Sequence, residues 1–291
     1  MSGHLSGSRV LTFQNSFNSA PGSVGSLDNS VGLQVPLDIY GQNVYISLIS
    51  ATFSSSIPNV FSYTSQQGGT PFAFDNTKIG VSRDNGITWL AINLPNGVYT
   101  IPVIAAAIND ATITAGWWAP AVPQTTGFTL SYNLATSIPY VAIDSALLAA
   151  PGTQFCVDFG YLGSSMWRTL GFTTALLGKI QADGLTSAQN QAQVDTYGSS
   201  VHMHLRGFGS LSVLNSIQSD LFAVASLINT GGQVPPAYVW PQGQVMPKIK
   251  LWGASSPLSK YSFFFDGANE MPLAWLSGSS IEIVFLVEIF Q

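Results

Sequence analysis

The sequence predicts an all-β protein, an antiparallel jelly-roll sandwich with few short helices and elaborate loops. About ten or more short segments rich in β-branched and aromatic residues are separated by turn residues, whereas helical periodicity is scarce. Segment 281–290 shows the strand pattern best, because alternate residues on one face are all apolar: Ile281, Ile283, Phe285, Val287 and Ile289. A terminal strand this hydrophobic is predicted to lie centrally in a sheet, with both edges paired.

The N-terminal segment differs in composition from the rest of the chain. Residues 1–29 are rich in Ser, Gly and Asn and show little periodicity, which predicts a flexible arm that becomes ordered only against a neighbour. Regular structure is expected to begin near Ser30, where hydrophobic residues start to alternate with polar ones. We therefore predict one jelly-roll domain over residues 30–291, with a possible inserted or second β subdomain within residues 173–257.

The clearest local prediction is a β-hairpin. Residues 78–82 and 87–92 are predicted strands that flank Arg83-Asp84-Asn85-Gly86. Because Asn and Gly tolerate positive φ angles, Asn85 and Gly86 are predicted to form the turn. The remaining predicted strands are residues 31–37, 44–53, 128–133, 140–143, 154–159, 200–205, 210–214, 221–227, 248–252 and 261–265.

Two helices are predicted among these strands. The first spans residues 101–109, with Thr100 as a possible N-cap and Pro102 tolerated in the first turn. The second is a short helix around residues 187–194, where the helical pattern is weaker.

The composition indicates a protein that covers much of its surface with partners. Only 8% of the residues are charged, against roughly 25% in an ordinary soluble domain, while 46% are hydrophobic. A monomer uses surface charge for solubility and to keep sheet edges from pairing. We therefore expect self-assembly, although a secreted or phage-associated β protein that is polar and uncharged is an alternative.

The charges that are present argue against direct binding to nucleic acid. The chain has nine Lys and Arg residues and fourteen Asp and Glu residues, which gives a net charge of −5. The basic residues are scattered along the chain. Binding through phosphates needs clustered Lys and Arg. No apolar run reaches the ~18–20 residues that span a bilayer, and the N-terminus has no signal-peptide pattern. The chain is expected to be intracellular and soluble until it assembles.

The sequence contains few residues with catalytic or metal-binding potential. Cys156 is the single cysteine and is predicted to be a buried, inert thiol. His4 lies in the predicted arm, whereas His202 and His204 lie two apart on a strand and point to one face, a spacing that can bind a metal. Because no cysteine or carboxylate lies nearby in sequence, we predict no metal site and no cofactor.

No catalytic motif appears either. The chain lacks a nucleophile elbow, a P-loop and a dinucleotide-binding glycine pattern. Asp266 and Glu270, or Glu282 and Glu288, are carboxylate pairs with simpler roles in a turn and on a strand. The sequence therefore predicts a protein that is not an enzyme, and a hydrolase on a β scaffold is the alternative.

Trp117 and Trp118 are the candidate interface residues. They lie in a loop rich in Gly and Pro, and tryptophan is favoured at subunit interfaces. A place in the core and a carbohydrate-binding platform are the alternatives that the sequence leaves open.

Several segments form a recognisable series along the chain. They are Leu94-Pro-Asn-Gly-Val-Tyr-Thr-Ile-Pro with the helix after it, Phe128-Thr-Leu-Ser-Tyr-Asn133, Met166-Trp-Arg-Thr-Leu-Gly-Phe172, and the closing stretches 261–266, 272–278 and 281–290. In this order, over roughly residues 90–172 and 258–291, they resemble jelly-roll penton and minor capsid proteins of virophages, polinton-like viruses and their PRD1-adenovirus type relatives.

The resemblance implies an eight-stranded jelly roll that assembles around a five-fold vertex of an icosahedral virion. The predicted function is that of a structural capsid protein, the penton, which contacts itself as a pentamer and also contacts neighbouring capsid proteins. The alternatives are a double jelly-roll major capsid protein in trimeric capsomers and a receptor- or glycan-binding spike module. Since the helix after residue 100 has no second copy, we prefer a single jelly roll.

Overall fold

The structure is a computed structural model of the chain, and it divides into two compact units. Unit 1 comprises Met1–Ile57 and Gly198–Gln291, and unit 2 comprises Pro58–Tyr197. The described residues are 5–39, 42–54, 57–65, 72–121, 123–150, 152–174, 178–192, 200–208, 212–214, 217–219, 221–226, 249–250, 257–266 and 273–290.

Strands dominate both units, as the sequence predicts. The strands are β1 (Leu5–Phe17), β2 (Val24–Gly25), β3 (Asn29–Leu37), β4 (Asn43–Ser54), β5 (Ser62–Ser65), β6 (Phe72–Asp75), β7 (Lys78–Ser82), β8 (Leu90–Asn93), β9 (Phe128–Tyr132), β10 (Pro139–Ile143), β11 (Cys156–Asp158), β12 (Lys179–Ile180), β13 (Gly184–Ser187), β14 (Ser200–Arg206), β15 (Ser212–Leu214), β16 (Ile217–Ser219), β17 (Leu221–Ser226), β18 (Ile249–Lys250), β19 (Leu258–Asp266), β20 (Trp275–Leu276) and β21 (Ser279–Phe290). The helices are α1 (Ile101–Thr114) and α2 (Met166–Thr169), with short 3-10 turns at Ser145–Leu147 and Tyr161–Gly163.

Unit 1 is a jelly roll. One four-stranded sheet has the order β1-β21-β4-β18, and the other has the order β17-β14-β19-β3. The antiparallel pairs are therefore nested: β1 pairs with β21, β3 with β19, β4 with β18, and β14 with β17. In the chain order of these eight strands, the first pairs with the last and the fourth with the fifth. This is the order that a long antiparallel hairpin acquires when it rolls into two sheets.

Aromatic side chains fill the interior of unit 1. The rings of Phe13 and Phe263 lie 4.9 Å apart, and Phe285 meets Phe263 edge to face at 5.8 Å. Tyr261 is buried with them, and its hydroxyl donates a hydrogen bond to the carbonyl of Thr12 at 3.0 Å. Each fully buried ring of this size contributes about 1.5–3 kcal/mol relative to exposure, so the rings stabilise the sandwich substantially.

The N-terminus differs from the flexible arm predicted for residues 1–29. Strand β1 occupies Leu5–Phe17 and pairs with β21 in nearly continuous register. Leu11 and Phe13 face the core, and the polar residues around them face outwards. The Ser, Gly and Asn content obscured this alternation, and the apolar strand β21 needs a partner on each edge.

The C-terminal strand lies where the sequence predicts. Strand β21 sits between β1 and β4, so both of its edges are paired. Its core face carries the predicted alternate residues, of which Ile281, Ile283, Phe285 and Val287 are buried. The prediction of a central terminal strand is confirmed.

Unit 2 is inserted in the chain between β4 and β14, whereas the sequence left an added subdomain open within residues 173–257. It contains sheets with the orders β13-β10-β9 and β12-β11-β7-β8, and the pair β5-β6. Among the described strands of unit 2 the pairs are not nested as in unit 1, so a second jelly roll is not repeated there. The boundary escaped sequence analysis because the strands of unit 2 have the same local alternation as jelly-roll strands.

Helix α1 is confirmed and is longer than predicted. Ile101, Ile104 and Ile108 turn one side of it into the core of unit 2. Thr100 occupies the N-cap position with extended backbone, but its side chain makes no capping hydrogen bond.

The described part of the second predicted helix is not helical. Residue 187 ends β13, and residues 188–192 continue without a helix. No helix in the described parts of the chain combines the length and the apolarity needed to cross a bilayer.

Candidate functional site

Trp118, one of the two predicted interface residues, belongs to the core of unit 2. It is 4% exposed. Its indole N–H donates a hydrogen bond to Thr112 Oγ1 at 2.8 Å, and its ring centroid lies 5.1 Å from that of Phe155. A side chain held in this way offers no surface to a neighbouring subunit, so the expectation for Trp118 is corrected. The loop composition around it did not reveal the hydrogen bond back to α1.

Trp117 is half-buried and keeps a partly accessible ring. The ring packs edge to face against Phe155 with centroids 6.3 Å apart, and the guanidinium of Arg83 lies 5.9 Å from the ring centroid. A half-buried indole with a cation near its face combines apolar area with polarity, as anchors at interfaces do. Trp117 therefore stays a candidate interface residue.

The solvent-facing side of α1 is almost without charge. This side, which we call the α1 outer face, consists of Val103, Ala106, Asp110 and Ile113. Val103 is 49% exposed and Ile113 is 39% exposed, while Asp110 is the one charged residue in the 14 residues of the helix. Solvent-facing helix positions usually carry polar and charged residues, so the α1 outer face is a second candidate interface.

Further large apolar side chains are exposed in both units. Leu134 is 86% exposed and Ile87 is 79% exposed, both in turns of unit 2. Isolated exposed apolar residues are normal on any protein. Here they accompany a surface with few charges, which strengthens the case for partners. The others are Leu5, Val10, Val35, Ile49, Val98, Tyr132, Leu162 and Leu185.

His202, His204 and Asp266 come together on one face of the β14–β19 pair in unit 1. His202 lies directly opposite Asp266 in the register, and His204 lies on the same face of β14. His202 Nδ1 lies 3.0 Å from Asp266 Oδ1, and His204 Nε2 lies 3.0 Å from Asp266 Oδ2. The sequence showed the two histidines but no nearby carboxylate. The carboxylate comes instead from a distant part of the chain through strand pairing.

The surroundings of this cluster are aromatic and enclosed. The ring of His204 stacks on Phe264 at 4.2 Å, and the guanidinium of Arg206 lies 4.1 Å from the centroid of the same ring. The side chain of Asp266 is 10% accessible. Nearby, Asp28 accepts a hydrogen bond from the backbone N–H of Phe265 at 3.0 Å.

The remaining residues singled out by sequence analysis form no further cluster in the described parts of the chain. Cys156 is buried in β11, and burial raises the pKa of its thiol, in keeping with an inert side chain. Glu282 and Glu288 lie on the outward face of β21. His4 and Glu270 lie outside the described residues.

Comparison with known proteins gives distant structural similarity only. No protein-family model and no curated protein matches the chain. The chain is similar to the crystal structure of the selenomethionine-labelled mavirus penton protein, with a TM-score of 0.46, 10% identity, and coverage of 98% of this chain and 100% of that one. It is also similar to the cryo-EM structure of the Sputnik virophage, with a TM-score of 0.43, 12% identity, and coverage of 97% and 98%. The jelly-roll fold of unit 1 follows from its strand order, independently of these similarities.

Proposed function

We propose that the chain is a structural capsid protein of an icosahedral virus, the penton at the vertex, and that it assembles into symmetric homo-oligomers. The observation that carries this proposal is the jelly roll of unit 1 with an interior filled by aromatic rings. Jelly rolls serve as viral shell domains, lectins and cupins. Cupin chemistry takes place inside the roll, and Phe13, Phe263 and Phe285 occupy that space here. A jelly roll with a filled core acts through its surfaces.

The surfaces suit assembly better than they suit a free monomer. Only 8% of the residues are charged, and exposed apolar side chains occur on both units. Subunit contacts in symmetric oligomers bury apolar surface of this kind and deplete charge. The α1 outer face and Trp117 are the surfaces of unit 2 that we assign to such contacts.

The same features support a proposal for the partners and the location. The chain is expected to contact itself, with a pentamer favoured, and then to contact neighbouring capsid proteins in the virion shell. The scattered basic residues and the net charge of −5 favour packaging of the genome by other shell components. The proposed role requires no cofactor and no catalysis.

The mass of the purified protein in solution tests the proposal. Multi-angle light scattering at low and high salt is expected to give five times the chain mass of 30.9 kDa. Contacts that are mainly apolar should persist at high salt, because salt screens charges and strengthens apolar association. Negative-stain images of the same sample should show five-fold rings.

Other masses would contradict the penton role. A trimer would favour the double jelly-roll major capsid protein or a spike, although the nested strand order in the described residues occurs only in unit 1. A monomer that remains soluble at high concentration would overturn the inference from missing charge. It would favour the glycan-binding alternative, for which loss of glycan binding after Trp117→Ala is the discriminating result.

A further inference from the structure

We propose that His202, His204 and Asp266 form a binding site for a divalent transition-metal ion of the zinc class. The site would lie on the β14–β19 pair, outside the aromatic interior of unit 1. It concerns the folded chain itself and does not depend on the capsid role.

The donor set selects the class of ion. Two imidazole nitrogens and one carboxylate oxygen suit Zn²⁺ and its neighbours, whereas Mg²⁺ and Ca²⁺ prefer sites built from oxygen alone. A first-row divalent ion held by three protein donors keeps a fourth position for water or for a donor from another molecule. The three residues supply such a set from only two strands.

The geometry needs only small side-chain adjustments. The three donor atoms all lie within 4.8 Å of one another. In a tetrahedral site with bonds of about 2.0–2.2 Å, donors lie about 3.3–3.6 Å apart. A contraction of about 1.5 Å or less is within reach of rotations about the side-chain bonds, while the paired strands fix the positions of the backbone.

The burial of Asp266 and the position of its carboxylate also support a cation site. The side chain is nine-tenths buried, and Oδ1 has no hydrogen-bond partner among the described residues although it lies 3.0 Å from His202 Nδ1. Nitrogen and oxygen therefore approach each other without the alignment of a hydrogen bond. Donor atoms that converge in this way suit a shared cation. Burial makes a charged carboxylate costly, and a divalent ion held between Asp266 and the two imidazoles would offset that cost.

The ion would fasten together two strands that are far apart in sequence. Strand β14 is the fourth strand of the rolled hairpin and β19 is the seventh. An ion bound to both strands in the folded chain only would stabilise unit 1 by mass action. A chelator would then lower the free energy of unfolding of the metal-bound protein without disturbing the aromatic core.

Metal binding to the purified full-length chain tests this proposal. After removal of metals with EDTA, calorimetric titration is expected to show one Zn²⁺ per chain, and Co²⁺ is expected to give a visible absorption band typical of nitrogen and oxygen ligands. At a free Zn²⁺ concentration 100 times Kd, the unfolding equilibrium constant should fall about 100-fold. Mg²⁺ at the same concentration should leave it unchanged.

Matched variants locate the ion. His202→Gln and Asp266→Asn are each expected to weaken Zn²⁺ binding by at least about tenfold. Loss of an outer partner of a ligand already costs roughly 10–100-fold, and loss of a direct ligand should cost at least as much. His4→Gln removes a histidine that the proposed site does not include, and this variant should bind Zn²⁺ as the wild type does. If the wild type takes up no stoichiometric Zn²⁺, or if His202→Gln binds it as tightly as His4→Gln, the proposal is wrong. The Co²⁺ band of the wild type needs no variant and so remains decisive if a variant fails to fold.

Discussion

At the scale of single residues, the turn after β7 depends on the charge of Asp84. The hydroxyl and the backbone N–H of Thr88 donate hydrogen bonds to this carboxylate, as does the hydroxyl of Ser82. These bonds, the one from the Thr88 hydroxyl first, lower the pKa of Asp84 from 3.8 to about 2. Because the folded pKa lies below the unfolded one, the carboxylate stabilises the fold above pH 3.8, and this contribution is lost as the pH falls towards 2.

Asp84→Asn should therefore be less stable than the wild type at pH 7, and the difference should shrink as the pH falls to about 2. Urea unfolding of both proteins at the two pH values measures this. Thr129→Asn, at an exposed strand position without a titratable group, serves as a control and should change the stability equally at both pH values. An Asp84→Asn difference of the same size at both pH values would show that the charge of Asp84 is not its cause.

The sequence predicts residue-scale features well where they depend on neighbours in the chain. Asn85 and Gly86 have φ angles of 61° and 78°, as their turn chemistry predicts. The partner of Trp118 and the contact between His202 and Asp266 depend instead on how distant segments align. A single sequence does not show in which register two distant strands pair. The cluster of His202, His204 and Asp266 could therefore not be predicted from it.

At the scale of elements, α1 separates a buried side from an outer face that we assign to subunit contacts. Val103→Glu and Ile113→Glu place a charge on the α1 outer face without touching the core. Each is expected to change the stability of the isolated chain by no more than about 0.5 kcal/mol. Each should weaken assembly by at least about tenfold, because a charge buried in an apolar contact is costly.

Sedimentation velocity across a range of protein concentrations measures this effect. Thr129→Glu, at an exposed strand position of the same unit, is the matched control and should assemble as the wild type does. If the two α1 variants and the control keep the same assembly constant, the α1 outer face is not a subunit contact.

Elements with strong alternation were predicted closely. Strands β9, β10, β14 and β21 lie within a few residues of their predicted bounds. Elements with mixed composition were not: β1 contains Ser, Gly and Asn, and it is ordered by its long pairing with β21. The helix predicted near residues 187–194 failed in its described part because residues 184–187 pair with β10 as strand β13. Tertiary pairing overrides weak local preference in both cases.

At the scale of the whole molecule, the nested order of strand pairs could not be predicted from the sequence. Alternation identifies a strand, but which strand pairs with which is decided by contacts between residues far apart in the chain, such as Leu11 and Phe285, which lie opposite each other in the β1–β21 pair. The insertion of unit 2 between β4 and β14 follows from the same pairing, since it is visible only when β4 and β14 are assigned to two sheets of one roll. All-β class was therefore predictable, and domain boundaries were not.

The N-terminal segment gives the sharpest test of this architecture. In the structure, β1 covers one edge of β21 and places Leu11 and Phe13 in the core. Loss of these two side chains alone would cost about 3–6 kcal/mol, a large part of the ~5–15 kcal/mol that stabilises a typical domain. The freed edge of β21 would also be open to pairing with other chains.

Deletion of residues 1–17 should therefore abolish cooperative unfolding and cause aggregation, whereas deletion of residues 1–4 alone should leave both unchanged. Near-ultraviolet circular dichroism during thermal unfolding, together with light scattering, distinguishes these outcomes. If residues 1–29 were an arm that only bridges subunits, the chain without residues 1–17 would remain folded and monomeric and would lose assembly alone. That result would contradict the pairing of β1 with β21. Without β1, the apolar strand β21 would have one open edge, and a chain with such an edge is expected to aggregate.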